Sequence, residues 1–106
     1  MNRQQQIDHF LLCAHELAAE RLKQEPARIA QAVQLLAAWR SKVGANRSDG
    51  LWDEWQKLLA LPVEQLIEAM TARGDHADHL RSVSPMGVLI TQVERAALLQ
   101  HSRQPA

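Results

Sequence analysis

The chain has few of the residue types that cross-link, catalyse or form tight turns in many small proteins: it has no tyrosine, one cysteine and four glycines in 106 residues. A single cysteine excludes an intramolecular disulfide framework, so the fold must be held by burial, and a reducing cytoplasm fits this composition. The sequence contains no glycine-rich phosphate loop and no nucleophile in a recognisable motif, so no known catalytic motif can be assigned to it. These absences predict a non-enzymatic protein without a cofactor.

Long apolar runs and an excess of one charge are missing too. No segment approaches the roughly 20 apolar residues that cross a bilayer, and the N-terminus is polar, which predicts neither a membrane span nor a signal peptide. Acidic and basic residues cancel, twelve against twelve, although seven of the acids lie between residues 49 and 79. A neutral total disfavours a dedicated nucleic-acid binder. The expectation is a soluble, cytoplasmic protein.

What the chain does contain is helical periodicity, with no alternating strand pattern of useful length. A first amphipathic stripe covers about residues 4–23, and a second begins at Pro26 and stops near Gly44. The second helix is apolar over more than half its circumference. Such a helix is typically either central in a bundle or packed against a second chain. We expect burial within the bundle, and a homodimer stays open.

The densest apolar stretch, residues 49–70, holds two of the three tryptophans. Trp52 and Trp55 are three residues apart and therefore share one face of a helix, for which Ser48 or Asp49 is the expected N-cap. Pro62 lacks an amide hydrogen and must end this helix or open a new one, which predicts a break before it.

The helix after the break is expected to stop at Gly74, after which Asp75 caps a short helical turn. A proline turn at residues 84–87 then precedes an apolar run, residues 88–90, that we expect to be buried. Thr91 and Glu94 form a capping box that opens a last helix through about residue 101. The expected apolar surface of that helix is Val93, Ala96, Ala97 and Leu98.

These elements together predict an all-α, compact, single-domain bundle of about five helices over residues 1–106, with frayed ends at about residues 1–4 and 102–106. The residues expected to be mostly buried are Trp39, Trp52, Trp55, Leu58, Leu59, Leu66, Ile67, Val88 and Ile90.

One cluster has metal-ligand residue types. His76 and His79 could share a helix face with Asp75. Acidic residues at the start of a short helix are also explained by capping and by the helix dipole, and no second dense His/Cys group is present. The sequence therefore predicts no metal site, and these three residues are its weak metal candidates.

Basic residues gather where the second helix ends. Arg40, Lys42 and Arg47 complement the C-terminal end of the helix dipole there, and they could also contact phosphate. A helix-turn-helix-like corner before Pro62 would suit a DNA-binding regulator, but the helix that follows carries Glu64 and Glu68, which would repel DNA.

The stretch from His79 to Arg95 carries a recognisable pattern. It contains Leu-Arg-x-x-Ser-Pro at residues 80–85, a small residue, an aliphatic pair, a threonine cap and Glu-Arg. This tail resembles that of short, uncharacterised bacterial all-helical proteins with an LRxxSPxxGxLxxxER-like motif, a group associated with toxin–antitoxin-like gene pairs. Met86 departs from the usual aromatic and Ala96 from a frequent tryptophan. The resemblance implies a partner-binding or regulatory role and supplies no catalytic residue.

The leading hypothesis is therefore a protein–protein interaction module: an antitoxin, immunity or regulatory subunit of a protein encoded nearby. The alternative is a DNA-binding transcriptional regulator. The partner-binding candidates are Arg40, Lys42, Arg81 and Trp39. Arg81, Ser84 and Thr91 are also explained by local turn and capping roles, and this structural interpretation is the one we favour.

Overall fold

The structure, a computed structural model, describes residues 2–103. Throughout this range it is helical and contains no β-strand, which confirms the all-α prediction. The six helices are α1 (Arg3–Gln24), α2 (Ile29–Val43), α3 (Asp49–Leu59), α4 (Val63–Met70), α5 (Asp75–Ser82) and α6 (Gln92–Arg103). Two 3₁₀ segments, Pro26–Arg28 and Pro85–Leu89, lie between α1 and α2 and between α5 and α6. The predicted number of about five is one too low, because the expected short turn forms the complete helix α5.

Helix α1 begins at Arg3 because Asn2 and Gln5 form a capping box. The Asn2 side chain accepts a hydrogen bond from the Gln5 amide at 2.8 Å, and the Gln5 side chain accepts one from the Asn2 amide at 3.0 Å. Regular helix therefore reaches into both stretches that were expected to fray, since α6 continues to Arg103. Residues 1 and 104–106 lie outside the described range, and fraying stays a prediction.

Proline and glycine set the main breaks, as predicted. Pro26 opens the 3₁₀ segment before α2, and α2 ends at Gly44, whose φ of 62° lies in the left-handed region that glycine tolerates. Leu61 and Pro62 separate α3 from α4. No helix within residues 2–103 has both the length and the apolar character that crossing a membrane would require.

Two predicted helix ends are wrong in detail, and a third is right in position only. Ser48 is the N-cap of α3, as predicted, but its side chain makes no capping bond, and Asp49 is the first helical residue. Helix α4 ends at Met70 rather than at Gly74. Gly74, with a φ of 120°, is instead the N-cap of α5, and Asp75 follows inside that helix. Glycine is suited to this place because the chain reverses there with a backbone conformation that other residues rarely adopt.

The core forms where α1 meets the other helices. Helix α1 packs against α4, α5, α6 and the second 3₁₀ segment, while α2 packs against α3 and the same 3₁₀ segment. Trp55 of α3 is completely buried, and its indole N–H donates a hydrogen bond to the Leu80 carbonyl at 2.8 Å. His15 of α1 stacks on Trp55 with ring centroids 6.2 Å apart. The tryptophan helix and α1 thus share one core.

Most of the predicted core is confirmed. The buried members are Trp52, Trp55, Leu59, Leu66 and Ile90, and the half-buried members that pack against them are Trp39, Leu58 and Ile67.

The prediction is wrong for Val88 and for part of α6. Val88 is exposed because the second 3₁₀ segment turns Met86 and Leu89 inward. On α6 the predicted surface of Val93, Ala96 and Ala97 faces solvent, and only its fourth member, Leu98, packs against the core.

Candidate functional site

A largely apolar groove opens where the end of α2 meets α3 and the end of α5. Its volume is about 450 Å³, and we call it the tryptophan groove; its lining residues are Trp39, Lys42, Val43, Trp52, Ser82 and Val83. The rings of Trp39 and Trp52 stack with centroids 5.9 Å apart and an angle of 28° between their planes. The Trp52 indole N–H donates to the Val83 carbonyl at 3.0 Å. This bond fixes one wall of the groove and leaves Trp39, which is half-buried, as its accessible aromatic surface.

Helix α2 is more exposed than its apolar pattern suggests. Only Ala32 and Leu36 are buried on it, and Val43 at the groove edge is 58% exposed. Helix α2 therefore lies at the edge of the bundle. Of the two alternatives for its broad apolar face, a central position is wrong, and packing against a second chain stays a prediction.

The two basic candidates on α2 differ in their contacts. Arg40 forms an ion pair with Asp53 at 2.7 Å and donates to the Gln56 side chain at 2.9 Å. It lines a smaller cleft of about 290 Å³ on the other flank of α2. Lys42 lines the tryptophan groove and forms no ion pair within residues 2–103. The structure thus brings Trp39 and Lys42 into one site and places Arg40 outside it.

Arg81, the remaining partner-binding candidate, lies in the interior and is only 3% exposed. Its guanidinium donates to the carbonyls of Met70 and Ala72 at 3.2 and 2.6 Å, just after α4, and to the Asp78 carboxylate at 2.8 Å. Arg81 therefore has the local turn role expected for it, and its acidic partner is Asp78 of its own helix. Its Nε is also buried and has no partner among the described residues. Arg81 therefore joins α5 to the end of α4.

Thr91 and Glu94 form the predicted capping box of α6. The Glu94 amide donates to the Thr91 hydroxyl at 3.1 Å, and the Thr91 amide donates to the Glu94 carboxylate at 2.8 Å. Arg21 of α1 donates to both oxygens of the same carboxylate at 2.9 and 2.8 Å, and to the Leu89 carbonyl at 3.0 Å. These bonds, that from Arg21 foremost, lower the pKa of Glu94 to about 2. The tail is thereby attached to α1.

Ser84 attaches the tail to α1 a second time, through His15. Its hydroxyl accepts from the Met86 amide at 3.0 Å, as predicted for a residue that starts a proline turn, and lies 2.7 Å from His15 Nε2. His15 Nδ1 lies 2.7 Å from the Leu11 carbonyl. A carbonyl can only accept, so Nδ1 carries the proton, and Nε2 accepts from the Ser84 hydroxyl.

The His15–Ser84 contact also has the arrangement of a nucleophile next to a base. Burial, however, lowers the pKa of His15 to about 4, although the bond to Leu11 opposes this. A base with that pKa is poorly matched to proton transfer near neutral pH. The contact is better explained as a buried link between α1 and the tail, in which burial keeps the imidazole neutral.

The weak metal candidates do not come together. His76 Nε2 lies 2.7 Å from the Glu54 carboxylate of α3. Asp75 begins α5, and His79 is exposed further along that helix. Within residues 2–103, no three His, Cys, Asp or Glu side chains converge in a group that could hold a metal ion.

Two residues of α1 that bond to the tail, His15 and Arg21, were not predicted from the sequence. His15 did carry a signal, because it continues the apolar spacing of Leu11, Ala18 and Leu22 and is buried with Ala18 and Leu22. Arg21 carried none, since its partner Glu94 is 73 positions away.

Comparison of the chain with models of known families, with curated proteins and with solved structures finds no match.

Proposed function

We propose that this chain is a non-enzymatic protein-interaction module that docks its partner in the tryptophan groove. The observation that carries the proposal is the stacked pair of Trp39 and Trp52 beside the exposed Val43. Tryptophan is enriched among the few residues that supply most of the binding energy at protein interfaces. Exposed apolar patches with polar rims mark such interfaces, and here Lys42 and Ser82 supply the polar groups.

The role we propose is that of a regulatory subunit, such as an antitoxin or immunity protein, for a protein encoded nearby. Its support is the resemblance of the tail motif, together with the lack of a recognisable catalytic motif in the sequence. In this proposal the tail holds the fold together, and the groove contacts the partner.

The test compares two exposed valines. Val43→Glu places a carboxylate at the edge of the groove, and Val93→Glu makes the same change on α6, where the side chain is 79% exposed. Surface substitutions of this kind usually change stability by no more than about 0.5 kcal/mol, so both variants should keep their Tm within a few degrees. The tagged wild type and both variants are then used to capture proteins from the source cells, with mass spectrometry as the readout.

We expect one protein, encoded near this chain's gene, to be retained by the wild type and by Val93→Glu and to be lost with Val43→Glu. Equal retention by both variants would place the interface elsewhere. The lack of any specific partner for the wild type would contradict the proposed function itself.

The alternative function, DNA binding, is opposed by the charges near the helix-turn-helix-like corner. Helix α4 exposes Glu64 and Glu68, and Arg40 is paired with Asp53. We therefore expect no complex with duplex DNA in a gel-shift titration at low salt. A salt-sensitive complex that weakens with Lys42→Ala would favour the regulator instead.

A further inference from the structure

A polar cavity of about 250 Å³ lies between the first half of α1 and the start of α5. Its charged lining residues are Asp8, Arg73, Asp78 and Arg81, and Leu12 is its large apolar side chain. Pockets for drug-sized ligands measure about 300–1,000 Å³, so this cavity suits a smaller molecule. It shares no lining residue with the tryptophan groove and is therefore a separate site.

The cavity contains a buried hydrogen-bond donor that the fold does not use. Arg81 is 3% exposed, and its Nε–H has no acceptor within residues 2–103. In the planar guanidinium, Nε–H and Nη2 lie on one edge. Here Nη2 donates to Asp78, whereas Nη1 donates to the carbonyls at the end of α4. The unused Nε–H therefore points along the same edge as the bond to Asp78, and both residues line the cavity. Because a buried charged donor without an acceptor is costly, a molecule that enters the cavity and accepts this hydrogen is favoured.

Charges of both signs stay open around this donor. Asp78 and Arg81 pair with each other, but Asp78 uses only one carboxylate oxygen for a bond within residues 2–103. Arg73 and Asp8 are exposed at the rim, and neither forms an ion pair in that part of the chain. Asp8 accepts a hydrogen bond from the uncharged Gln4 side chain. The cavity thus offers one open cation and two open carboxylate positions.

The charge balance disfavours an occupant of a single sign. Asp75, the first residue of α5, is exposed next to the cavity wall and adds a third carboxylate to those of Asp8 and Asp78. These three face two arginines, and a protonated His9, which also lines the cavity, would only make the count even. An anion such as phosphate would therefore meet no excess of positive charge. A simple cation would leave the buried Nε–H without an acceptor.

We infer that this cavity binds a small zwitterion, namely a free α-amino acid. Its carboxylate accepts from the Arg81 Nε–H and pairs with Arg73, and its ammonium group pairs with Asp8 and with the open oxygen of Asp78. Such a molecule supplies the missing acceptor and matches both signs of charge without adding a net charge. This inference does not depend on the proposed function, because the cavity lies apart from the groove.

The test is an NMR titration of the whole, isotope-labelled chain with glycine and L-alanine as probes. The side-chain Nε–H of Arg81 gives its own signal, and the backbone amide signals report whether each variant is folded. Acetate, methylammonium and acetamide are titrated in parallel at the same ionic strength. Asp8→Asn and Arg73→Gln each remove one rim charge. Their controls are Glu16→Gln and Arg47→Gln, at exposed residues that do not line the cavity.

We expect glycine and L-alanine to shift the Arg81 Nε–H signal in a saturable way. Acetate, which lacks the ammonium group, should bind about tenfold more weakly, and methylammonium should not shift this signal because it offers no acceptor. Asp8→Asn and Arg73→Gln should each weaken the binding of glycine about three- to fivefold, as for one exposed ion pair. The two control variants should bind as the wild type does.

The contrary outcomes each overturn a definite part of the inference. No saturable shift with either probe would mean that water alone satisfies the Arg81 Nε–H and that the cavity is no amino-acid site. Acetate that binds as tightly as glycine would make it an anion site, and acetamide that does so would make it a site for an uncharged amide. Binding that is unchanged by both Asp8→Asn and Arg73→Gln would place the amino acid elsewhere on the chain.

Discussion

The tail of the chain, residues 79–95, and the tryptophan groove, to which the tail contributes Ser82 and Val83, use most of their side chains in opposite ways. In the tail, Arg81, Ser84 and Glu94 each bond to other parts of the fold, and Leu89 is completely buried. In the groove, Val43 is exposed and Trp39 is only partly covered. Both regions attract notice in the sequence. The polar side chains of the tail motif are used inside the fold, although Val88 and Val93 of the tail are exposed, whereas the apolar side chains of the groove are left partly uncovered side by side.

This difference shows why a recognisable motif is not by itself a binding site. The polar residues of the tail each meet a local geometric demand: a chain reversal, a proline turn or a helix cap. The groove has no such pattern, since its residues come from three helices that are adjacent only in the fold. We therefore expect substitutions of the bonded polar residues of the tail to lower the stability of the fold, and substitutions in the groove to lower partner binding.

The largest effect is expected at Trp55, where the core is deepest. Trp55→Ala should lower the free energy of unfolding by about 5 kcal/mol, because a fully buried indole is lost and the Leu80 carbonyl loses its donor. Trp39→Ala, in the half-buried groove, should cost less than half as much. Urea unfolding followed by circular dichroism measures both, and equal losses would show that the groove belongs to the core.

Arg81→Ala should be the most damaging change to the tail, at about 3 kcal/mol. It removes the donors to two carbonyls and leaves Asp78 without its partner in a largely buried position. Arg73→Ala, at an exposed residue nearby, is the control and should change little. If Arg81→Ala keeps its Tm but loses the captured partner, the tail is the recognition site and the comparison above fails.

Much of the fold could be predicted because its breaks depend on local chemistry. Pro62 lacks an amide hydrogen wherever it occurs, and Gly44 is suited to a positive φ, so both breaks were readable. The predictions for Val88 and Val93 were wrong because the direction in which a short apolar segment faces depends on its neighbours. A 3₁₀ segment and an α-helix also distribute the same residues over different faces.

Less of the candidate site could be predicted. Trp39 and Lys42 were candidates because they end α2, but their pairing with Trp52 and Val83 requires the packing of α3 and α5. Arg81 was also a candidate, and the sequence could not show that α4 ends within its reach. Local patterns locate caps and turns, whereas a groove between helices depends on contacts distant in sequence.

Acidic pH should weaken the attachment of the tail through His15. Its pKa of about 4 in the fold lies below the ordinary 6.5, so the unfolded chain binds the proton more readily and stability is lost as pH falls from about 6.5 to 4. The loss should be about 2 kcal/mol between pH 7 and pH 5. Urea midpoints measured across this range test it. His15→Gln should flatten the dependence, and a dependence that is unchanged in this variant would show that another group causes it.

The smallest effect in the tail is expected for Thr91→Ala, and it gives the cleanest separation of stability from binding. The substitution removes the hydroxyl that accepts from the Glu94 amide, and loss of such a cap costs about 1 kcal/mol. Thr91→Ser retains the hydroxyl and should restore most of the loss. Because Thr91 lies outside the tryptophan groove, both variants should capture the same partner as the wild type once their folded fractions are matched by urea titration. A Thr91→Ala variant with unchanged stability and lost capture would mean that the cap contacts the partner, and that the tail and the groove together form the interface.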